Sequence, residues 1–307
     1  MVFSQTGQIC DDFFVVGHPA VPVYLLDGAQ PAIFDAGLTL LGDLYLSGIE
    51  KILGDRSPAY CFISHAHFDH CGAVAAFKRR YPHLAVVASA RAGEILQRPS
   101  AVERIRNLNH AAGTLAAQIG VTDTPGARFE PFAIDHVVDE GDRIDIAAGD
   151  RVEVIASPGH TRDCLSYRIS GRNILLSSEA AGQPDQTGYI VTDCLADYDR
   201  YLASLQRLKA LAPDVLCPGH IFVFSGIDAV DYLARAQAAC IDFFNLVSAC
   251  AIEEDGDVEC IKQRIKSREY DPLSGPKQPE PAYLINLEAR IKAVLKAAAA
   301  RVGRWST

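Results

Sequence analysis

The sequence lacks an excess of positive charge, long apolar runs and an export-like start. The formal net charge is −9 at pH 7, and no basic stripe could follow a phosphate backbone, so we expect no nucleic-acid partner. No apolar run reaches the length that crosses a bilayer, and residues 1–6 show no basic flank before an apolar stretch. We therefore expect no membrane partner and a cytoplasmic location.

The sequence also lacks paired cysteines. Its nine cysteines form no C-x-x-C pair and no dense, even spacing, so we do not expect a disulfide framework. Three of them, Cys61, Cys71 and Cys217, flank the polar motifs described below. Because free cysteine is among the most buried residue types, we interpret these three as small hydrophobic core residues.

Apolar residues are plentiful. They make up 49% of the 307 residues, which is enough for a sizeable core. A chain of this length suits one large domain, or one domain with an appendage.

Histidine is scarce but concentrated. Nine histidines occur in the chain, and three of them share six residues with an aspartate: His65-Ala66-His67-Phe68-Asp69-His70. Imidazole nitrogen and carboxylate oxygen suit Zn²⁺, Fe²⁺ or Mn²⁺, and the tight spacing suits two ions side by side. The alternative is a solvated polar turn after a strand.

The segments around this motif favour the metal interpretation. Residues 59–63 form a short apolar run that is typical of a buried strand. Residues 71–80 have the pattern of a helix with basic residues in its last turn. Asp69 would then lie at a helix N-terminus, where the helix dipole favours a carboxylate.

Three more strand-like runs end at a potential ligand. Residues 152–156 precede His160, residues 173–177 precede Glu179, and residues 214–217 precede His220. Both histidines follow a Pro-Gly pair, which by itself usually marks a turn. Four strands that each deliver a ligand at the carboxyl end are harder to attribute to turns alone.

Together these residues resemble the signature of the metallo-β-lactamase fold hydrolases. That signature runs H-x-H-x-D-H, then a His after a Gly, an acidic residue after a strand, and a Pro-Gly-His. The resemblance implies two divalent metal ions, zinc or iron, with manganese as an alternative. In the implied arrangement His65, His67 and His160 hold the first ion, Asp69, His70 and His220 hold the second, and Glu179 bridges them. Asp69 is also given a catalytic role.

The same resemblance implies the fold and the domains. We expect an α/β protein with a four-layer αββα sandwich, residues 1–225 as the catalytic domain and residues 226–307 as a C-terminal helical extension. The similarity runs closest to the PqsE-like branch. It is carried by residues 21–26, 67–72, 100–102, 108–109 and 201–205, and it extends over about residues 5–225.

Glu179 departs from the family, which normally has Asp at this position. Glu is one methylene longer and has one more rotamer to fix. It could bridge two metals if the backbone lies further back, or bind one metal only. It could also be an ordinary strand-end carboxylate outside the metal shell.

The implied activity is hydrolysis of a small ester or thioester through a metal-bound hydroxide. We can name no separate acid for the leaving group, so a group that departs as a thiolate is favoured over an amide nitrogen. Three alternatives stay open. The first is an oxidoreductase, although the chain leaves no room for a flavin domain. The others are a signalling protein with weak hydrolase activity and a protein partner, and a phosphodiesterase.

The first strands are predicted at residues 13–16, 21–26 and 32–35, with turns at Gly17 and Gly28. Asp35 follows the third strand. It resembles the family's buried aspartate that braces the metal loop.

A helix is predicted over residues 101–119. Its neighbourhood carries the charged residues Arg98, Glu103, Arg104 and Arg106, which we interpret as a solvated face. The alternative is that one arginine contacts an anionic substrate such as a coenzyme A ester. His110 on the same helix is a structural histidine by default, and the alternative is that it faces the pocket.

The C-terminal region is predicted to be helical. One helix follows Ser225, a second covers residues 258–265, and the last covers about residues 283–300. Pro272, Pro276, Pro279 and Pro281 are predicted to form a non-helical connector. These helices form either a lid over the metal cleft or a partner interface, so a homodimer is an open alternative.

Overall fold

The structure is a computed structural model that describes residues 1–113, 117, 120, 127–147, 149–185, 187–274 and 277–303. The chain divides into two units. The sheet unit comprises Met1–Ala156, Asp163–Ser178 and Pro213–Ala229. The helical unit comprises Ser157–Arg162, Glu179–Ala212 and the chain from Val230 onward.

The strands are short. They are β1 (Val2–Phe3), β2 (Gly7–Cys10), β3 (Phe13–His18), β4 (Val21–Leu26), β5 (Ala32–Phe34), β6 (Tyr60–Phe62), β7 (Ala85–Ser89), β8 (His136–Val138), β9 (Arg143–Ala147), β10 (Asp150–Ala156), β11 (Leu165–Ile169), β12 (Ile174–Leu176), β13 (Gln183–Pro184), β14 (Ile190–Val191), β15 (Val215–Cys217) and β16 (Val223–Ser225).

Among the described residues, the helices are α1 (Gly42–Leu53), α2 (Phe68–Cys71), α3 (Val74–Arg80), α4 (Ala90–Leu96), α5 (Pro99–Ala111), α6 (Tyr198–Ala210), α7 (Ile227–Glu253), α8 (Val258–Glu269) and α9 (Glu280–Gly303). Short 3₁₀ turns occur at Thr39–Leu41, Ser170–Arg172 and Ser178–Ala181.

Two seven-stranded sheets lie in the sheet unit. The first follows chain order from β2 to β8, antiparallel up to β5 and parallel from β5 to β8. The second has the order β1-β16-β15-β12-β11-β10-β9, with β12 and β15 parallel. Because β5 and β6 run parallel, their carboxyl ends meet at one edge of the sheet, and the H-x-H loop begins there.

The core of the sheet unit has two parts because side chains alternate between the faces of each strand. Tyr24 and Phe34 of the first sheet face the second sheet, where the ring of Phe34 lies 6.2 Å from that of Tyr167. Leu25 and Ile33 face the opposite way, toward α1 and α3. Strand β4 is buried on both faces, which explains its continuous apolar run. The predicted α/β class is confirmed.

The predicted strands are confirmed within one or two residues, but the predicted turn at Gly17 is wrong. Gly17 pairs with Pro22 inside the β3–β4 ladder. A Cβ atom there would collide with the ring of Tyr45. The glycine therefore makes room for a side chain and does not reverse the chain.

The predicted helix over residues 71–80 is divided into α2 and α3, with a break at residues 72–73. Gly72 lies against the backbone of the preceding loop. A Cβ atom on it would be 2.5 Å from the Thr39 nitrogen and 2.6 Å from the Gly37 oxygen. Close backbone packing at Gly72 therefore sets the end of helix α2.

The C-terminal prediction is confirmed for the helices and corrected at Pro281. This proline lies in the first turn of α9, where a proline needs no N–H partner. Pro276 lies outside the described residues, as do 114–116, 118 and 119 of the helix predicted over residues 101–119. Within the described part, α5 ends at Ala111.

Helix α7 is long and apolar enough to cross a membrane by length and composition alone, with a mean hydropathy of 1.2 in its most apolar stretch. Core helices of water-soluble proteins meet the same test. The α7 side chains of Tyr232, Leu233 and Cys240 are buried.

Candidate metal centre

The sheet unit brings together five of the seven predicted ligands. His65 and His67 lie in the loop after β6, Asp69 and His70 lie on α2, and His220 follows β15. The imidazole ring of His65 lies 4.4 Å from the rings of both His67 and His70, and the His70 ring lies 5.2 Å from that of His220.

Asp69, His70 and His220 form a group whose ligand atoms all lie within 4.8 Å of one another. The Asp69 Oδ2 atom lies 3.8 Å from Nε2 of His220, which is too long for a hydrogen bond. Two imidazole nitrogens and a carboxylate oxygen at this spacing fit one divalent ion.

Three candidate ligands of this unit, His65, His70 and His220, have a polar partner at Nδ1. The His70 Nδ1–H donates to the Asp35 carboxylate at 2.8 Å, and that of His220 donates to the Ala20 carbonyl at 2.7 Å. His65 Nδ1 lies 3.0 Å from the Ser64 hydroxyl. Metal-ligating histidines typically make such outer hydrogen bonds, which fix the tautomer and direct Nε2 at the ion.

Asp35 braces the loop of residues 64–70, the role that the family resemblance implies. It is 7% exposed, and it accepts hydrogen bonds from the Ser64 amide at 2.8 Å and the Ser64 hydroxyl at 3.0 Å, besides that from His70. Its backbone has φ +58°, a conformation that non-glycine residues seldom adopt. One carboxylate thus connects both ends of the H-x-H-x-D-H segment.

A second aspartate, Asp163, supports the same loop and was missed by the sequence analysis. Its Oδ2 accepts the Ala66 amide at 2.8 Å, between the two histidines of the motif. The residue lies about 100 positions from that motif and belongs to no recognisable pattern, so only the fold relates the two.

The helical unit holds the other two predicted ligands, His160 and Glu179. Both are 2% exposed. Nε2 of His160 lies 3.9 Å from Oε2 of Glu179, and Nδ1 of His160 lies 2.9 Å from the Asp193 carbonyl and 3.2 Å from its carboxylate. His160 therefore repeats the arrangement of the other histidines, with Asp193 as an outer partner that the sequence analysis missed.

The charge around His160 is negative. Burial by itself lowers the pKa of His160, but the Asp193 carboxylate and then Glu179 raise it to about 9. Two acidic groups that favour a cation at this position also suit a metal ion.

Tyr201 of α6 fixes both ligand loops of the helical unit. Its hydroxyl donates to the Glu179 carbonyl at 3.0 Å and accepts from the Asp193 amide at 3.3 Å. Gly159, just before His160, has φ +139°, and a Cβ atom on it would collide with the Tyr201 backbone. The glycine of the Gly159-His160 pair is thus required by packing as well as by conformation.

The C-terminal helices connect to Asp193 through the β13–β14 hairpin. Gln183 donates to the Asp193 carboxylate at 3.2 Å, and the Tyr189 hydroxyl donates to Glu269 of α8 at 3.0 Å. Glu269 forms a two-point ion pair with the buried Arg290 of α9, at 2.7 and 2.8 Å. This hairpin therefore lies between the outer partner of His160 and a buried charge pair.

The cysteines and the α5 side chains that the sequence analysis singled out differ in solvent exposure. Cys61, Cys71 and Cys217 are all fully buried, and burial raises the pKa of each thiol. Their interpretation as core residues is confirmed. On α5, Arg104 and His110 are exposed, whereas Arg106 is only partly so.

Comparison with known proteins gives a consistent family. The model of the metallo-beta-lactamase superfamily matches residues 16–220. Acyl-coenzyme A thioesterase MBLAC2 of Gallus gallus is 28% identical over 264 residues, which are 80% of this chain and 87% of that protein. The Homo sapiens protein of the same name is 28% identical over 233 residues, 70% and 78% of the two chains.

A solved structure shares the fold. ST1585 of Sulfolobus tokodaii, an archaeal metallo-beta-lactamase superfamily protein, superposes with a TM-score of 0.60 at 16% identity and covers 94% of this chain and 100% of its own. At this identity the likeness concerns the architecture only.

Proposed function

Since the chain belongs to the metallo-beta-lactamase superfamily, we propose that it is a metal-dependent hydrolase of small acyl thioesters. The observation that carries the proposal is the common arrangement of His65, His70, His160 and His220. Each has a polar partner at Nδ1, as expected when Nε2 binds a metal.

We propose that seven side chains form a binuclear centre. His65, His67 and His160 would hold the first ion, Asp69, His70 and His220 the second, and Glu179 both. Zn²⁺ or Fe²⁺ suits these nitrogen and oxygen donors, with Mn²⁺ as an alternative. Bound there, the ions would supply an acidified water as nucleophile and positive charge for polarising a carbonyl.

The chain's own residues would set the geometry of this chemistry. Asp35 and Asp163 fix the backbone of the histidine loop, and Asp193 fixes the ring of His160. Asp69, at the N-terminus of α2, would help to hold the second ion and keep its proposed catalytic role. A thioester leaving group departs as a thiolate, so the reaction needs no dedicated acid at that step.

The thioester class is supported by the MBLAC2 relatives, which are named acyl-coenzyme A thioesterases. The PqsE-like affiliation, a cytoplasmic location and homodimer formation stay predictions. We also retain residues 1–225 as the proposed catalytic domain and residues 226–307 as its helical extension.

A panel of substrates would test the proposal. An acyl-coenzyme A, a lactone and a phosphodiester should be assayed side by side at equal metal loading. We expect hydrolysis of the thioester with the highest kcat/KM. Preference for the phosphodiester, or turnover of none of the three, would refute the thioesterase assignment.

A further inference from the structure

A polar cavity of about 410 Å³ lies beside helix α5 in the sheet unit. Its volume is within the range of small-molecule sites, about 300–1,000 Å³. The lining includes two arginines, Arg106 and Arg128, together with His110 and the carboxylate of Glu103. We propose that this cavity, here named the arginine cavity, binds the phosphate groups of a coenzyme A thioester.

Hydrogen bonds join the lining of the arginine cavity to the C-terminal end of helix α2. Asn109 is 6% exposed, and its Oδ1 accepts the Thr39 amide at 3.0 Å. The Thr39 hydroxyl donates to the carbonyl of Gly72 at 2.9 Å, two residues beyond His70. A ligand held in this cavity would thus lie near the H-x-H-x-D-H segment of residues 65–70 but outside it.

One of the arginines is held in place. The Arg106 Nε–H donates to the Phe129 carbonyl at 3.2 Å, and within the described part of the chain its terminal guanidinium nitrogens make no hydrogen bond. Nη1 is 3.9 Å from the Glu103 carboxylate, a separation that gives a weak ion pair. A guanidinium fixed through Nε suits two-point contact with a phosphate.

The charge of the whole chain favours a local cationic site for this substrate class. A net charge of −9 opposes the approach of a polyanion. The phosphates of coenzyme A lie at the far end of the pantetheine arm from the thioester. A site for them is therefore expected outside the metal centre, separated from it by the pantetheine arm, and two arginines would give that site local positive charge.

This inference rests on the proposed thioesterase function, and truncated substrates separate the two. Steady-state kinetics should be measured with an acyl-coenzyme A and with the same acyl group on pantetheine, which lacks the adenosine phosphates. Arg106→Gln and Arg128→Gln should each raise KM for the coenzyme A ester at least about tenfold, as expected for the loss of a charged hydrogen bond. Neither should change kcat or the kinetics of the pantetheine ester.

Two further variants sharpen the test. Arg104 lies two positions from Arg106, about 200° around the helix, and it does not line the cavity, so Arg104→Gln should match the parent. Glu103→Gln removes the opposing carboxylate and should lower KM for the coenzyme A ester. Arg128 is exposed, so a defect of Arg128→Gln cannot be attributed to lost core packing.

The outcomes are distinguishable. If both esters are hydrolysed but the arginine variants affect neither, or affect both equally, the arginine cavity is not a phosphate site and the thioesterase proposal stands. If the parent hydrolyses neither ester, the proposed function fails and the inference fails with it.

Discussion

In the candidate site, a single neighbouring group sets which ring nitrogen of each of four histidines carries the proton. An imidazole offers its Nε2 lone pair to a metal when Nδ1 carries the proton. Asp35, Ala20, Ser64 and Asp193 each occupy the Nδ1 side of one histidine. Replacing such a partner should weaken metal binding without removing a ligand.

We therefore predict that Asp35→Asn lowers metal affinity by about 10–100-fold. Asparagine tolerates the left-handed backbone of residue 35, so the fold should persist while the charge that orients His70 is lost. Competition with a coloured chelator would measure the affinity. Asp55→Asn, a change in an exposed turn, is the control, and equal affinities for the two variants would contradict the role given to Asp35.

Glu179 is the second test at this scale. Its carboxylate is buried and faces His160 Nε2, so we predict that Glu179→Gln lowers metal stoichiometry and activity together. A neutral amide is a poorer ligand and cannot offset the charge of two cations. Metal content and initial rates of the purified variant would show this, and unchanged values for both would remove Glu179 from the site.

The variant Glu179→Asp shows whether the backbone of the site suits a Glu or an Asp side chain. Lower occupancy and rate would mean that the backbone is set back to suit Glu. Higher values would mean that the natural Glu weakens the bridge. The parent and the Gln variant serve as the two reference points on one metal titration.

Loops and helices contribute in a different way, by holding these side chains from a distance. Two residues beside ligands, Ser178 before Glu179 and Ile221 after His220, have φ of +47° and +60°. Such conformations are unfavourable for residues other than glycine, above all for a β-branched one. The loops keep them because both are anchored by strands, β12 and β15 respectively.

The Arg290–Glu269 pair is the principal buried charge of the C-terminal helices. We predict that Arg290→Met lowers the free energy of unfolding by about 3–5 kcal/mol, because Glu269 would be left buried without its partner. Chemical denaturation would measure it. Lys292→Met on the same helix breaks an exposed pair with Glu288 and should leave stability unchanged, so equal effects would refute the prediction.

The same pair predicts a pH dependence. Burial raises the pKa of Glu269, but Arg290 and the tyrosine hydroxyls outweigh it and hold the pKa below the ordinary value of 4.5. A carboxyl with a depressed folded-state pKa stabilises the fold above its unfolded pKa, and this contribution is lost as pH falls through the folded value. The stability difference between the parent and Glu269→Gln should therefore be constant from pH 7 to about 5 and shrink at lower pH. A constant difference down to pH 3 would contradict it.

Over the whole molecule, the sequence predicts the strands and the candidate ligands better than it predicts the residues that hold those ligands in place. Strand β4 was predictable from its continuous apolar run, and the H-x-H-x-D-H segment from ligand chemistry. Asp163 and Asp193 were not, because an isolated aspartate has no pattern and its role arises only when distant loops meet. Gly17 was misread as a turn because its small size serves the Tyr45 ring, a long-range contact.

Under the proposed function, hydrolysis of an acyl thioester by this chain depends on divalent metal bound at the candidate centre. This dependence can be measured as the rate of acyl-coenzyme A hydrolysis by chelator-treated protein during stepwise addition of Zn²⁺ or Fe²⁺. We expect no rate without metal and a rise that ends near two equivalents per chain. A full rate after chelation, or no rate at any metal loading, would contradict it.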